Sequence, residues 1–492
     1  MRSRAVVVGA GFGGLAAAVR LRLLGYDVTV LEALPEPGGR ARVFRKGDFT
    51  FDAGPTVITA PYLLEELFSL AGRDPGDYFR LLPVEPYYRL LFPDGESFDM
   101  HGDDERLLAE IEAFEPRDVD GYRRLAREAE RIFRVGYLEL GDRPFLRGRD
   151  MLRVVPRMVR LRSHRSVYGL VSRYIRDERL RRAFTFESLL VGGDPFRTSS
   201  IYVLIHTLER RWGVHFVEGG TGALVRALGR LLDELGVELR CGIPVERVEV
   251  DAGRARGVVM EGGARVPADV VVANADPARV YSRMIGPAHL RRGTLRAVRR
   301  SRTSMGLFVG YFGVLGHYPG VAHHTILVGR RYRELLRDVF RRKVLAPDFS
   351  LYLHAPARTD PGMAPSGRDA FYVLAPVPNN RSAVRWSEEG EAYFSRVLES
   401  LEERLLPGLT DRLATRFHVT PDYFENELRS ADGSAFGPEP LLRQSAYFRY
   451  HNRSPDVDGL YFVGAGTHPG AGIPGVLSSA KVLERVVPRP GP

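Results

Sequence analysis

Cysteine is almost absent from this chain of 492 residues: Cys241 stands alone. One thiol cannot close an internal disulfide, so a disulfide-stapled fold is excluded and a reducing compartment is expected. Enzymes that work through a redox-active cysteine pair are excluded with it. Cys241 itself reads as a small hydrophobe at a strand end. Lysine occurs only at 46, 343 and 481, so the basic side of the composition is nearly all arginine. No apolar run reaches the roughly 18 residues that would argue for a membrane-spanning helix. Met1-Arg2-Ser3-Arg4 followed by Ala5–Val8 mimics the start of a secretory signal, but the glycines at 9, 11, 13 and 14 and the arginines at 20 and 22 spoil its apolar core. The twelve histidines form no His-Glu-x-x-His pattern, and the adjacent His323 and His324 are wrongly spaced for a helical metal pair, so no metal site is expected.

What is present fits an ordinary globular protein of two or three domains, with 44% hydrophobic and 27% charged residues. The net charge of +10 is concentrated. Between Asp142 and Arg182 lie thirteen arginines and four acids, a local excess of +9. These arginines interleave with Met151, Leu152, Val154, Val155, Met158, Val159 and Leu161, a pattern suited to a membrane surface. A solvated helical face is the plainer reading. No nucleic-acid-binding module accompanies the charge, so nucleic acid is not an expected partner.

Ala5–Val8 reads as a buried strand, Gly9–Gly14 as a turn, Leu15–Leu24 as a helix and Asp27–Glu32 as a second strand. Gly9-Ala10-Gly11-Phe12-Gly13-Gly14 satisfies G-x-G-x-x-G. Gly9 permits the tight turn, Gly11 lets the backbone approach a pyrophosphate, and Gly14 allows close helix–strand packing. Phosphates then sit at the helix N-terminus, where N–H groups and the dipole favour anions. Glu32 follows 18 residues after Gly14, placed to accept hydrogen bonds from ribose hydroxyls, which argues against a 2′-phosphate and leaves NAD or FAD.

Two further turns choose FAD. Gly38-Gly39-Arg40 can bring a second backbone loop to the cofactor, with Arg40 reaching a phosphate or the flavin edge. Gly464-Ala465-Gly466-Thr467-His468-Pro469-Gly470-Ala471-Gly472 then leads into a helix at Gly475–Val487. It can set N–H groups, that of Val476 included, against the polar edge of an isoalloxazine.

Further along, helices are expected at Leu63–Leu70, Glu105–Arg134 and Leu224–Leu235, and a basic amphipathic stretch over Met151–Ile175 interrupted at Pro156. Strands are expected at Val245–Val250, Gly257–Met260, Val270–Ala273, Leu460–Val463 and near 301–312, 349–354 and 370–375. Pro488–Pro492 reads as a tail. Nucleotide-binding signals at both ends and near 245 imply one domain built from discontinuous pieces with a second inserted.

These motifs resemble the FAD-dependent amine oxidase and carotenoid desaturase clan. GAGTHPGAGIPGVLSSAK at 464–481, FLRGRDML at 145–152 and LLVGGDPFRTSSIYVLIHTLERRWGVHFVEGGTGALV at 189–225 narrow the resemblance to the bacterial-type phytoene desaturases, across essentially the whole chain. Tyr447 where the family has Trp, and Tyr450-His451 where it reads Pro-His, are local departures. The resemblance implies an α/β fold: a Rossmann-like FAD-binding domain (1–80, 216–285 and 455–492), an inserted α+β substrate domain (81–104, 186–215 and 286–454) and a helical, basic, membrane-facing subdomain (105–185). It implies FAD as cofactor, Glu32 on the adenosine ribose and the Val245 backbone at the adenine. It also implies phytoene and other carotenes as substrates, quinone or oxygen as electron acceptor, and a cytoplasmic protein at the inner face of the cell membrane. Such a substrate has no heteroatom, so an apolar tunnel must recognise it, and parts of Leu307–Phe312 and Phe349–Leu353 are candidates to line it. Arg149, next to Asp150, is the candidate to take a proton or stabilise charge. Three alternatives remain: a flavin amine oxidase, a desaturase of hydroxylated or methoxylated carotenes, and a prenyl-binding chaperone without FAD.

Overall fold

Two sheets organise the molecule, and each is assembled from segments far apart in sequence. The computed structural model describes residues 3–490; Met1 and Arg2 of the signal-like start, and Gly491 and Pro492 of the expected tail, lie outside the described residues.

The first sheet runs, in spatial order, Leu460–Phe462, Val270–Ala273, Arg4–Val8, Asp27–Leu31 and Glu238–Arg240, with every neighbouring pair parallel. A parallel sheet needs cover on both faces, which is why its strands are runs of valine rather than alternating patterns. Val7, Val30 and Val272 face the helices Phe12–Leu23, Thr221–Glu234 and Ile473–Val486, packing with Leu15, Leu228 and Leu477. Val6, Leu31 and Val271 face the other way, against Val248 and Val258 of an antiparallel three-stranded sheet, Val245–Asp251, Arg254–Met260 and Arg265–Pro267.

The second sheet has seven strands in the order Leu413–Val419, Gly306–Leu315, Arg368–Val377, Leu351–His354, His324–Leu327, Tyr88–Leu91 and Ser97–Met100. All neighbours are antiparallel except His324–Leu327 with Tyr88–Leu91. Period-two alternation divides its faces. Phe308, Phe312 and Phe371 turn towards the helix Trp386–Arg404, packing with Trp386, Phe394 and Val397. Leu307, Val309 and Tyr311 turn towards the interior of the chain.

The helical stretch departs from expectation in two places. The single pattern read over Glu105–Arg134 is two helices, Asp104–Phe114 and Val119–Phe133, parted by a turn at Pro116, which lacks the N–H needed to continue. Pro156, by contrast, does not interrupt Gly148–Arg160. Its missing N–H frees the carbonyl of Leu152 one turn earlier, and both residues lie on the exposed face, where water can satisfy it.

Candidate functional site

The first turn forms at the carboxyl end of strand Arg4–Val8, the place where parallel sheets bind ligands. Gly9 N–H donates to Leu31 O at 2.7 Å and ties the turn to the neighbouring strand. A Cβ on Gly14 would sit 1.9 Å from the Gly9 carbonyl oxygen, so only glycine lets the helix start this close. Glu32, buried at the end of strand Asp27–Leu31, accepts N–H bonds from Ala10 at 2.6 Å and Leu34 at 2.9 Å, which fixes its carboxylate beside the cavity.

The second and third turns close on the first. Gly38 N–H donates to Ala10 O at 2.8 Å. Asn274, just past strand Val270–Ala273, lies between the first turn and the third: a Cβ on Gly13 or on Gly464 would each stand 2.5 Å from its Oδ1. Arg449 is buried under the third turn, donating to Thr467 O at 3.0 Å and Ala465 O at 2.6 Å. Arg40 donates to Ser430 Oγ at 2.6 Å and keeps a buried Nε without a partner among the described residues. Burial lowers the Arg40 pKa, and the nearby Asp276 opposes that shift.

Between these turns a cavity of about 570 Å³ opens. Of the residues singled out in the sequence, Gly9, Gly11, Phe12, Gly13, Glu32, Gly39, Arg40, Val245, Gly466 and Val476 line it. Ala10 and Gly14 stand behind the lining as supports. Two expectations need correction. Val476 reaches the wall, but its N–H donates to Gly472 O at 2.9 Å within the first helical turn, so it is no free donor. Arg149 is exposed in the first turn of Gly148–Arg160 and does not line the cavity; Asp150 beside it is taken up accepting Arg147 N–H at 2.9 Å. The helix approaches through its apolar side instead, with Met151, Val154 and Met158 in the wall.

Beyond the turns the wall is apolar. The second sheet contributes Leu307, Val309, Ile326 and Leu374, Val328 follows one of its strands, and the helical segments contribute Phe186, Leu189 and Ile205. Of the two strands expected to line a tunnel, the first does so with alternate residues, Leu307 and Val309 but not Phe308, and the second with the consecutive Ser350, Leu351 and Tyr352 but not Phe349. Thr56, Tyr352 and Tyr372 form a buried hydroxyl cluster in the wall, with Thr56 Oγ1 2.6 Å from Tyr372 Oη. Burial raises the pKa of both phenols.

Sequence reasoning missed Asn274, Asp276, Arg449 and the buried acids Glu187 and Glu209. The first two follow a strand of the parallel sheet directly, and that position was the available signal. Sheet pairing also sets His324 opposite His354, so His323, His324 and His354 present nitrogens within 4.8 Å of one another. Local spacing could not reveal that third imidazole. The set contains no carboxylate to offset a cation's charge in so buried a place.

A parallel sheet whose carboxyl edge meets three glycine turns, opening into an apolar chamber, marks a dinucleotide-cofactor oxidoreductase. The family profile described as flavin containing amine oxidoreductase matches residues 12–482, and the chain belongs to that family. The cradle fits the group: the Gly13, Gly464 and Asn274 contact leaves no room for side chains, and Glu32 and Arg40 stand at the wall with the polarity a ribose and a phosphate require. The cofactor is FAD. Among curated relatives, the lycopene-forming phytoene desaturase of Pseudescherichia vulneris is 51% identical over 479 residues, covering 97% of each chain. The neurosporene-forming phytoene desaturase of Rhodobacter capsulatus is 44% identical over 491 residues, covering 99% of this chain and 94% of its own. An oxidoreductase structure from Methanosarcina mazei shares the fold, with TM-score 0.65 and 18% identity over 98% of this chain and 100% of its own.

Proposed function

We propose that this chain desaturates phytoene to more conjugated carotenes, neurosporene or lycopene, in carotenoid biosynthesis. The observation that carries the reading is one continuous cavity, lined by the flavin cradle at one end and by aliphatic and aromatic side chains over the rest. A C40 hydrocarbon offers nothing to hydrogen-bond, so its binding comes from apolar area removed from water, at about 25 cal/mol per Å². The identity to phytoene desaturases across nearly the full chain supports the same reading.

When bound, FAD supplies two-electron, hydride-accepting chemistry. The chain's own residues hold the allylic carbons in place, with Leu307, Val309 and Leu374 on one side and Met151 and Val154 on another. The same side chains exclude water. Quinone or oxygen is the proposed final acceptor. The pieces 1–80, 216–285 and 455–492 are the proposed cofactor domain, 81–104, 186–215 and 286–454 the substrate domain, and 105–185 the membrane-facing subdomain.

We further propose that the helix Gly148–Arg160 docks on the inner face of the cell membrane. One side of it, Met151, Val154 and Met158, lines the cavity, while Leu152 and Val159 on the other are 71% and 61% exposed among exposed arginines. A helix with this double face places the chamber against the lipid in which a carotene dissolves. Among the described residues no helix is long and apolar enough to cross a membrane.

The test is anaerobic incubation of the FAD-loaded protein with phytoene in anionic liposomes and a quinone, read by visible absorbance of conjugated products. The expected result is coloured carotene while the quinone returns the flavin to its oxidised form, and bleached flavin when the quinone is left out. A flavin-replete protein that leaves phytoene unchanged with both quinone and oxygen would overturn the reading.

A further inference from the structure

We propose that Glu209, backed by Glu187, receives the proton released as each new double bond forms, and that His206 and Tyr122 conduct it to the surface. The proposal rests on the desaturation reading and supplies the residue its chemistry requires. Removing two hydrogens from CH2–CH2 takes one away as hydride. The second C–H bond then breaks heterolytically, its electron pair becomes the new π bond, and a proton is left inside an apolar chamber.

Few groups in that chamber can take it: His468 is in the wall, but its Nε2 is engaged with Leu140 O at 3.2 Å and burial lowers its pKa to about 4, so it does not hold a proton there. Four carboxyl residues line the cavity: Glu32, Asp276, Glu427 and Glu209. Glu32 is occupied by two backbone N–H groups, and Asp276 accepts from Ala278 at 2.8 Å and Ala431 at 3.2 Å. Glu427 is exposed. Glu209 is 2% exposed and lies in the chamber wall with Leu208 and Ile205. Its Oε1 accepts from Tyr88 Oη at 2.7 Å. Its Oε2 meets no N–H or hydroxyl donor among the described residues, and the Glu187 carboxyl lies within hydrogen-bonding reach of Glu209, an arrangement that two buried acids can hold only with a proton between them.

From Glu187 a chain of polar groups leads outward. Glu187 Oε1 lies 3.4 Å from His206 Nδ1, and His206 Nε2 lies 3.0 Å from Tyr122 Oη. Tyr122 Oη accepts from Arg210, whose other nitrogen holds the exposed Asp104. His206 and Arg210, the two groups that touch Tyr122 Oη, line a small surface pocket with Glu130 and Arg211, and water in it is the proposed exit. Glu209 takes the proton on one oxygen and passes the shared proton to Glu187. Glu187 passes one to His206 Nδ1 as the Nε2 proton moves to Tyr122, whose hydroxyl proton leaves to water. One proton enters, one leaves, and every group ends with its starting charge.

The groups facing the acids are Tyr88 from Tyr88–Leu91, His206 and Arg210 from Leu204–Trp212, Tyr122 from Val119–Phe133 and Asp104 at the start of Asp104–Phe114. Burial pushes Glu187 up to about 8. Burial, with the Glu187 charge beside it, holds Glu209 well above the usual carboxylate range. Burial, helped by Arg210, lowers His206 to about 3, so its imidazole passes protons without storing one.

The test compares wild-type holoenzyme with Glu209→Gln, Glu209→Asp and Tyr122→Phe at matched flavin content. Glu209→Gln should slow anaerobic flavin bleaching by phytoene about 100-fold, with KM little changed and partial recovery in Glu209→Asp. Tyr122→Phe should slow it about tenfold. Infrared titration of the holoenzyme should show a buried protonated carboxyl that keeps its C=O stretch well above the usual carboxylate range, a band missing in Glu209→Gln. An active wild type beside an equally active Glu209→Gln would overturn this proposal alone, as would an infrared spectrum without that carboxyl. A wild type inert to phytoene would overturn the desaturation reading and this proposal with it.

Discussion

The two ends of the cavity are built from different materials. At the cofactor end the wall is backbone: three turns meet so closely that glycine and one asparagine fill the space between them. At the carotene end the wall is side chain, with Leu307, Val309, Ile326 and Leu374 from the sheet and Met151 and Val154 from a helix. A backbone wall is all-or-none, because added atoms collide with atoms that cannot move aside. A side-chain wall is graded, because each methyl adds a small share of contact area.

Breaking that comparison starts with the largest effect. Gly14→Val puts side-chain carbon where a Cβ already falls 1.9 Å from Gly9 O. The helix must shift, and FAD affinity should fall by roughly two orders of magnitude, about 3 kcal/mol, read as flavin absorbance per purified chain. A yellow Gly14→Val protein at full stoichiometry would show that the turn is more pliable than its geometry implies. The matching change at the other end is Val309→Ala, which removes contact worth about 1 kcal/mol. Flavin content should be unchanged and KM for phytoene should rise about fivefold. If Val309→Ala cost as much as Gly14→Val, the graded character of the carotene end would be wrong.

Legibility in the sequence follows the same division. The cofactor end was readable because each turn is local: glycines at fixed offsets, a strand before, a helix after, and Glu32 at the next strand end. What failed there was orientation. Val476 lines the cavity, but the direction of its N–H depends on where the helix begins, and the first turn claims it for Gly472. The carotene end was legible in part, through the strands near 301–312, 349–354 and 370–375. Its strands Tyr88–Leu91, Ser97–Met100 and Leu413–Val419 are short and carry charges, so periodicity was faint. The helix Trp386–Arg404 went unread although its buried residues Trp386, Gly390, Tyr393, Phe394, Val397 and Leu401 recur at helical spacing. Arg149 illustrates the opposite error. A charged pair in a motif drew attention, whereas Glu187 and Glu209, brought together by packing of separate segments, gave no local signal.

Those two acids are the polar exception in the carotene end, and they make it sensitive to pH. Their carboxyl pKa values are raised by burial, from an ordinary 4.5 to about 8 for Glu187. The folded chain therefore holds this proton more tightly than the unfolded chain. The stability that follows is fully present below about pH 4.5, shrinks as pH rises through the interval, and is lost above about 8. Glu187→Gln keeps the shape without the titration. Its melting temperature should match wild type near pH 5 and exceed it near pH 9 by a few degrees, several kcal/mol being spread over the unfolding entropy of a chain of this size. Equal melting curves at both pH values would mean that the pair ionises freely in the fold.

The smallest effect belongs to the outer face of Gly148–Arg160, where neither backbone fit nor burial operates. Arg153 is exposed between Leu152 and Val159, which are themselves 71% and 61% exposed. Near an anionic bilayer one arginine contributes about 1 kcal/mol, and salt screens that over about 10 Å at 0.1 M. Arg153→Gln should weaken sedimentation with anionic vesicles about fivefold at low salt and much less at 0.5 M, leaving flavin content untouched. Val159→Ser removes apolar area instead of charge, so its loss should survive added salt. Opposite salt behaviour in the two variants would separate headgroup attraction from insertion. Identical behaviour, or indifference of both to anionic lipid, would place this helix in water and leave the carotene to reach the chamber by another route.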